Sequence, residues 1–258
     1  MQNQKITVVT VCYNAERDIE KTIQSVIKQS YGNIEYIIVD GASTDGTMKV
    51  IEKYKNNIST IVSEPDQGIY DAMNKGVKLA SGDYIVFLNA GDNFHTEYVV
   101  ENVVSCNPSA DIVCGSINVC YKGEGHVYAP GNLEDTKKRM TVPHPGMFIK
   151  SDYHKFNLYD ITYRSSGDYD FLYRSLYKNR ASFSFVNVIV TDYNNEVGMS
   201  KDNYKRARLE DYRVRGLEPR KVDYLKIEIN SKLINILSFM KDLLPLWLRK
   251  RIRKQTVV

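Results

Sequence analysis

The chain has 258 residues, 43% of them hydrophobic and 26% charged, with only 15 glycines and 7 prolines. That balance excludes a long disordered tract, a fibrous repeat and a disulfide scaffold, and it leaves room for one substantial core with a small appendage. The net charge of +4 hides an asymmetry, since residues 201–258 hold 16 Lys and Arg against 7 Asp and Glu while residues 1–200 hold 19 against 24. The basic character therefore belongs to the C-terminal part, and no nucleic-acid partner is expected.

In chain order, apolar strand patterns alternate with helical ones. "KITVVTVCY" (5–13) reads as a strand, and "AERDIEKTIQSVIKQS" (15–30) as a helix with Ile19, Ile23, Val26 and Ile27 on one face. "IEYIIVDG" (34–41) and "ISTIVSE" (58–64) are strands; "TMKVIEKYKN" (47–56) and "IYDAMNKGVKLA" (69–80) are helices. Residues 83–89 form a fourth strand, which ends in Asn89, a small Ala-Gly pair and Asp92. A βαβαβαβ order with crossovers of this length implies a parallel sheet flanked by helices. In such sheets ligands sit beyond the carboxyl ends of the strands, so "CYN", "DGASTDGT", "SEPDQG" and "NAGD" are the segments that matter.

Beyond residue 110 the spacing changes. "ADIVCGSINVCY" and "GHVYAPG" read as strands with a turn between them, and His144 falls between two prolines. "SGDYDFLYRSLYKN" (166–179) begins with two aspartates, Asp168 and Asp170, and continues at helical spacing. "ASFSFVNVIVTDY" returns as a strand. In the tail, Leu225, Ile229, Leu233, Ile236, Leu237, Met240, Leu243, Leu244 and Trp247 recur at helical intervals before "RKRIRK". No apolar stretch reaches the roughly 20 residues a membrane span needs. The pattern suits a helix over 225–254 lying in a membrane interface; a core-facing helix or a dimer contact would produce the same periodicity. The four cysteines lack zinc-ligand spacing and read as reduced, and the N-terminus lacks the pattern of a signal peptide, so a cytoplasmic location is expected.

The ordered set "VTVCYNAERDIEKTIQSVIKQSY", "IEYIIVDGASTDGT", "SEPDQGIYDAMNKGVKLASGDYIVFLNAGD" and "SGDYDFLYRSL" resembles family 2 glycosyltransferases of the GT-A fold. It is most similar to bacterial enzymes of O-antigen, capsule or exopolysaccharide assembly. The likeness runs over about residues 5–195 and implies an α/β, Rossmann-like, mostly parallel sheet flanked by helices. On this reading residues 1–200 form the catalytic domain, with a nucleotide-binding half (1–110) and an acceptor half (111–200). Residues 201–258 form a basic helical extension.

The resemblance further implies an inverting transfer from a nucleotide sugar, UDP-linked, to a polyprenyl-diphosphate-linked saccharide at the inner face of the cytoplasmic membrane. By similarity Val11, Tyr13 and Asp40 hold the nucleoside, and Asp66, Asn74 and Lys75 border the nucleotide and its phosphates. Taken alone, Tyr13 reads equally as a core aromatic, Asn74 as a backbone ligand and Lys75 as a solvated helix charge. The family usually ends the fourth strand with two metal-binding carboxylates. Here Asn89 replaces the first, leaving Asp92 to hold Mg²⁺ or Mn²⁺ and Asn89 to offer a neutral carbonyl or meet the donor sugar. Asp168 corresponds to the general base, with Asp170 as second candidate, and His144 to the acceptor side or a structural histidine. A nucleotide-binding scaffold without turnover and a polyprenyl-phosphate glycosyltransferase are the competing readings. A dehydrogenase or nucleotidyltransferase needs a glycine-rich loop after the first strand, which "CYNAERD" lacks.

Overall fold

The computed structural model describes residues 4–121, 124–194 and 204–241. Among the described residues nine strands form one sheet: β1 (Ile6–Cys12), β2 (Ile34–Asp40), β3 (Thr60–Ser63), β4 (Tyr84–Phe87), β5 (Asn93–Phe94), β6 (Ile112–Tyr121), β7 (Glu124–Tyr128), β8 (Met147–Lys150) and β9 (Phe183–Asn194). Their order is β3-β2-β1-β4-β8-β6-β9-β5, with β7 paired to the outer half of β6. Strands β1 to β4 are mutually parallel; β8 runs antiparallel between β4 and β6, and β9 lies parallel to β6. The α/β sheet is thus mostly parallel, as expected, and the antiparallel strands enter only after β4.

The helices are α1 (Ile19–Ile27), α2 (Thr47–Glu52), α3 (Ile69–Leu79), α4 (Val99–Ser105), α5 (Ser151–Phe156), α6 (Gly167–Tyr177), α7 (Tyr204–Val214) and α8 (Lys221–Lys241). Because successive strand side chains point to opposite faces, β1 splits its apolar residues between two cores. Ile6 and Val8 pack with Ile19, Ile23, Val50 and Val103 from α1, α2 and α4. Val9 and Val11 pack on the other face with Met73, Val77, Phe171 and Leu172 from α3 and α6.

Two helices are shorter than their sequence patterns. Residues 15–18 form a turn rather than the start of α1, because their amides are drawn to the next loop: Ala15 N–H donates to Thr47 Oγ1 at 2.8 Å and Glu16 N–H to Asp45 at 3.2 Å. α2 stops at Glu52 and is followed by a 3-10 turn over Lys55–Asn57. In the tail, α8 turns Val222, Leu225, Ile229 and Leu233 outward, each about half exposed, so this row is not packed on the core. The remainder of the expected interface helix, 242–254, lies outside the described residues. Among the described residues no helix is long and apolar enough to cross a membrane.

Candidate active site

The loops after β1 and β2 are locked to each other. Asn14 Oδ1 accepts from Thr44 N–H at 2.9 Å, Asn14 N–H donates to Ser43 Oγ at 2.8 Å, and Glu16 Oε2 accepts from Gly46 N–H at 3.0 Å. Asn14 and Ala42 both take left-handed backbone angles, φ 48° and 61°. Asp40, fully buried at the end of β2, ties these loops to β3. It accepts from Ser43 N–H at 3.0 Å, from the Ser43 hydroxyl, and from Ser63 Oγ at 2.6 Å. The neighbouring Cys12 thiol is pushed up by burial and then by the Asp40 charge, which leaves it a neutral donor. The Asp40 carboxylate, expected at the nucleoside, is engaged by the loops here and organises them.

Tyr13 is 64% exposed and offers its ring at the mouth of this platform. The core-aromatic alternative is thereby removed. Val11 points its side chain into the core, while its carbonyl accepts from Ala90 N–H at 3.2 Å and joins the exits of β1 and β4. Asp66 sits across from Tyr13, with Oδ1 accepting from Gly68 N–H at 2.7 Å. Gly41 allows that approach, since a Cβ there would overlap the Asp66 carboxylate. Lys75 lies beneath the same loop, donating to the Pro65 carbonyl at 2.8 Å and pairing with Glu64 at 2.9 Å.

Asn74 is buried, and both ends of its amide are taken by the backbone of Tyr159, at 2.9 Å each. This is the backbone-ligand alternative for Asn74, set beside its expected place at the nucleotide. What Asn74 does is hold Tyr159, whose hydroxyl meets His144 Nε2 at 2.7 Å. Burial lowers the pKa of His144 against the opposing pull of Asp168, so the ring is neutral near pH 7.

A cleft of about 340 Å³ opens at the carboxyl end of β4, lined by Tyr70, Asn89, Tyr128, His144, Asp168 and Tyr193 among others. A larger cavity of about 430 Å³ lies at the opposite ends of the strands, around Gly82 and Lys150, and holds none of the candidate residues. Asn89 Oδ1 is buried at the wall of the first cleft without a hydrogen-bond partner. A buried carbonyl oxygen of this kind asks for a donor or a cation. Asp92, 5% exposed, accepts from Asn194 N–H at 3.0 Å through Oδ1; Oδ2 has no donor among the described residues. Burial raises the Asp92 pKa to about 7, outweighing that hydrogen bond. Among the described residues no three His, Cys, Asp or Glu side chains converge as a ligand set. Each of the two offers oxygen, the ligand type a hard cation takes alongside phosphate and water.

Asp168 and Asp170 part company on α6. Asp168 is half-buried in the first turn, facing the cleft, where Tyr70 donates to Oδ1 at 3.2 Å. Gly167 makes room for that ring, because a Cβ at this position would fall 2.7 Å from it. Asp170, two residues on, points to the other side of the helix and pairs with Arg174 at 2.7 Å. A spacing of two is about 200° of helical rotation, so the two carboxylates cannot share one pocket. The second candidate for the base is thereby corrected to a structural ion pair. Sequence reasoning missed Tyr70 and Tyr159, whose apolar spacing resembles that of any core aromatic.

A model of the family described as Glycosyl transferase family 2 matches residues 7–176. A PGL/p-HBAD biosynthesis glycosyltransferase of Mycobacterium bovis is 26% identical over 206 residues, spanning 75% of this chain and 78% of that protein. Among solved structures, S. aureus TarS in complex with UDP-GlcNAc superposes with a TM-score of 0.65 at 16% identity, over 91% of this chain and 73% of that one. The mannosyltransferase PcManGT from Pyrobaculum calidifontis, in complex with GDP-Man and Mn²⁺, gives 0.59 at 15% identity, over 98% and 79%. These two likenesses speak for the fold. With two-thirds of its length under the family model, from β1 to α6, the chain belongs to glycosyl transferase family 2 and is a glycosyltransferase.

Proposed function

We propose that the enzyme moves the sugar of a UDP-linked donor, with inversion, onto a hydroxyl of a polyprenyl-diphosphate-linked saccharide in bacterial surface-polysaccharide assembly. One observation carries this reading: Asp168 and the unpartnered Asn89 carbonyl line the same cleft at the strand ends. The exposed Tyr13 ring, suited to packing on a nucleoside, and Asp66, an acceptor, support it further. The description of a structural neighbour in complex with UDP-GlcNAc supports the donor class.

Asp92 and Asn89 would hold Mg²⁺ or Mn²⁺ together with the donor diphosphate. When bound, the cation offsets negative charge that develops on the departing diphosphate. Asp168, steadied by the Tyr70 hydroxyl, takes the proton of the acceptor hydroxyl as that oxygen bonds the anomeric carbon and the bond to the diphosphate breaks. His144, neutral and fixed by Tyr159, forms an uncharged wall on the acceptor side. The outward apolar row of α8, together with the basic sequence 249–254, supports docking on the anionic inner face of the membrane.

The test is turnover of UDP-sugars by wild type and by Asp168→Asn. A fall in kcat of about 10² to 10⁴, with unchanged UDP affinity, is expected from loss of a general base. Full activity in Asp168→Asn would remove the assignment. For docking, a chain ended before Leu225 should leave anionic vesicles for the supernatant; unchanged partition refutes that part.

A further inference from the structure

The family match ends at residue 176, yet the backbone that introduces Asp168 is held from beyond it. Glu210, on α7, gathers three consecutive amides. Its Oε1 accepts from Arg164 N–H at 3.0 Å, and its Oε2 from Ser165 N–H at 2.8 Å and Ser166 N–H at 2.9 Å. The next residue, the buried Asp211, accepts from the Ser166 hydroxyl at 2.8 Å. Arg213 lies 4.2 Å from the centre of the Tyr163 ring and donates to Thr162 Oγ1 at 2.5 Å.

Ser166 stands at the N-cap of α6 but makes no side-chain cap bond. A serine here would ordinarily accept from an amide in the first helical turn. Its hydroxyl is instead given to Asp211, so the entry to α6 is shaped by a carboxylate 45 residues away. One carboxylate can collect three successive N–H groups only if those peptide planes turn toward it together, which fixes the chain path two residues ahead of Asp168. The same segment reaches forward as well: the Arg164 guanidinium donates to the Gln67 carbonyl, beside Asp66.

We propose that Glu210 is a positioning residue for Asp168, so that the extension completes the catalytic cleft of a domain that the family match alone leaves open. This rests on the reading of Asp168 as the base. Glu210→Gln keeps the side-chain shape but sets an NH₂ donor against an amide donor.

The experiment uses the full chain and measures kcat, donor KM, and amide hydrogen exchange at Ser165 and Ser166. Glu210→Gln is expected to lower kcat roughly 10- to 100-fold, as misplacement of a reacting group by about 1 Å does, with donor KM within about twofold. Exchange at the two amides should quicken. Lys205→Ala removes the 2.6 Å pair with Glu228 from the same helix, leaves the brace intact, and should keep wild-type kcat. Should Glu210→Gln fail to fold, Ser166→Ala carries the same signature through loss of the Asp211 bond. Wild-type kcat in the folded variant, or an equal loss in Lys205→Ala, overturns the proposal. A wild-type chain that turns over no nucleotide sugar fails the reading of Asp168 itself, a result distinct from an active wild type with an unimpaired Glu210→Gln.

Discussion

Replacing His154 with leucine tests whether the protein carries this imidazole neutral in its core. The ring is fully buried, 4.7 Å from Phe171 and 4.9 Å from Tyr159 between centroids. Its Nδ1 meets the Asn157 carbonyl at 3.2 Å, and Nε2 has no partner. Burial, helped by the nearby His144, pulls its pKa from 6.5 to about 3. In the unfolded chain the group protonates near pH 6.5, while the folded chain resists until about pH 3. Its contribution to stability is therefore present above pH 6.5 and is lost progressively as the pH falls toward 3.

Between pH 8 and pH 5 that linkage removes about 2 kcal/mol from the unfolding free energy. Urea unfolding at both pH values, for wild type and His154→Leu, reads it directly. The packing change from the substitution is common to both conditions and cancels in the double difference. His144, also depressed by burial, adds acid sensitivity to both proteins alike. The variant should lose about 2 kcal/mol less than wild type on acidification. Equal losses would mean that the folded protein protonates or hydrates this ring, and the account of the core around Phe171 would be wrong.

Ala42→Gly relieves a left-handed alanine, φ 61°, worth about 1–2 kcal/mol, against about 0.5–1 kcal/mol of added chain entropy. A Tm raised by roughly 2 °C is expected, and a lowered Tm refutes the strain. Gly41→Ala drives a methyl into the Asp66 carboxylate and should raise donor KM roughly tenfold with kcat little changed; an unaltered KM removes Asp66 from the donor site. Mn²⁺ added with UDP should raise Tm in wild type and not in Asp92→Ala, as a ligand binding only the native state does. A shift of equal size in both would place the cation on other groups.

The parallel half of the fold was legible because each strand is a short apolar run followed by turn residues, and each helix has a clear apolar face. Strand β8, with helices α4 and α5, spans only four to seven residues, too few to display a period. The start of α1 was misread for another reason: Asn14, Glu16, Thr44 and Asp45 prefer each other to helix formation, a choice made only once β1 and β2 are adjacent. Asp168 was visible as the first acid of a helical segment. The separation from Asp170 follows from helical rotation, and so was available from spacing alone. Glu210 was not, since nothing in a charged run of the tail reveals that its carboxylate turns back to residues 164–166.

The mutual locking of the loops after β1 and β2 also bears on how a nucleotide is met. Their ordering entropy is spent when the domain folds, so capture of the ligand need not wait for a slow rearrangement at this end of the sheet. Stopped-flow mixing with a fluorescent UDP analogue should accordingly give a single exponential whose rate climbs linearly with ligand concentration.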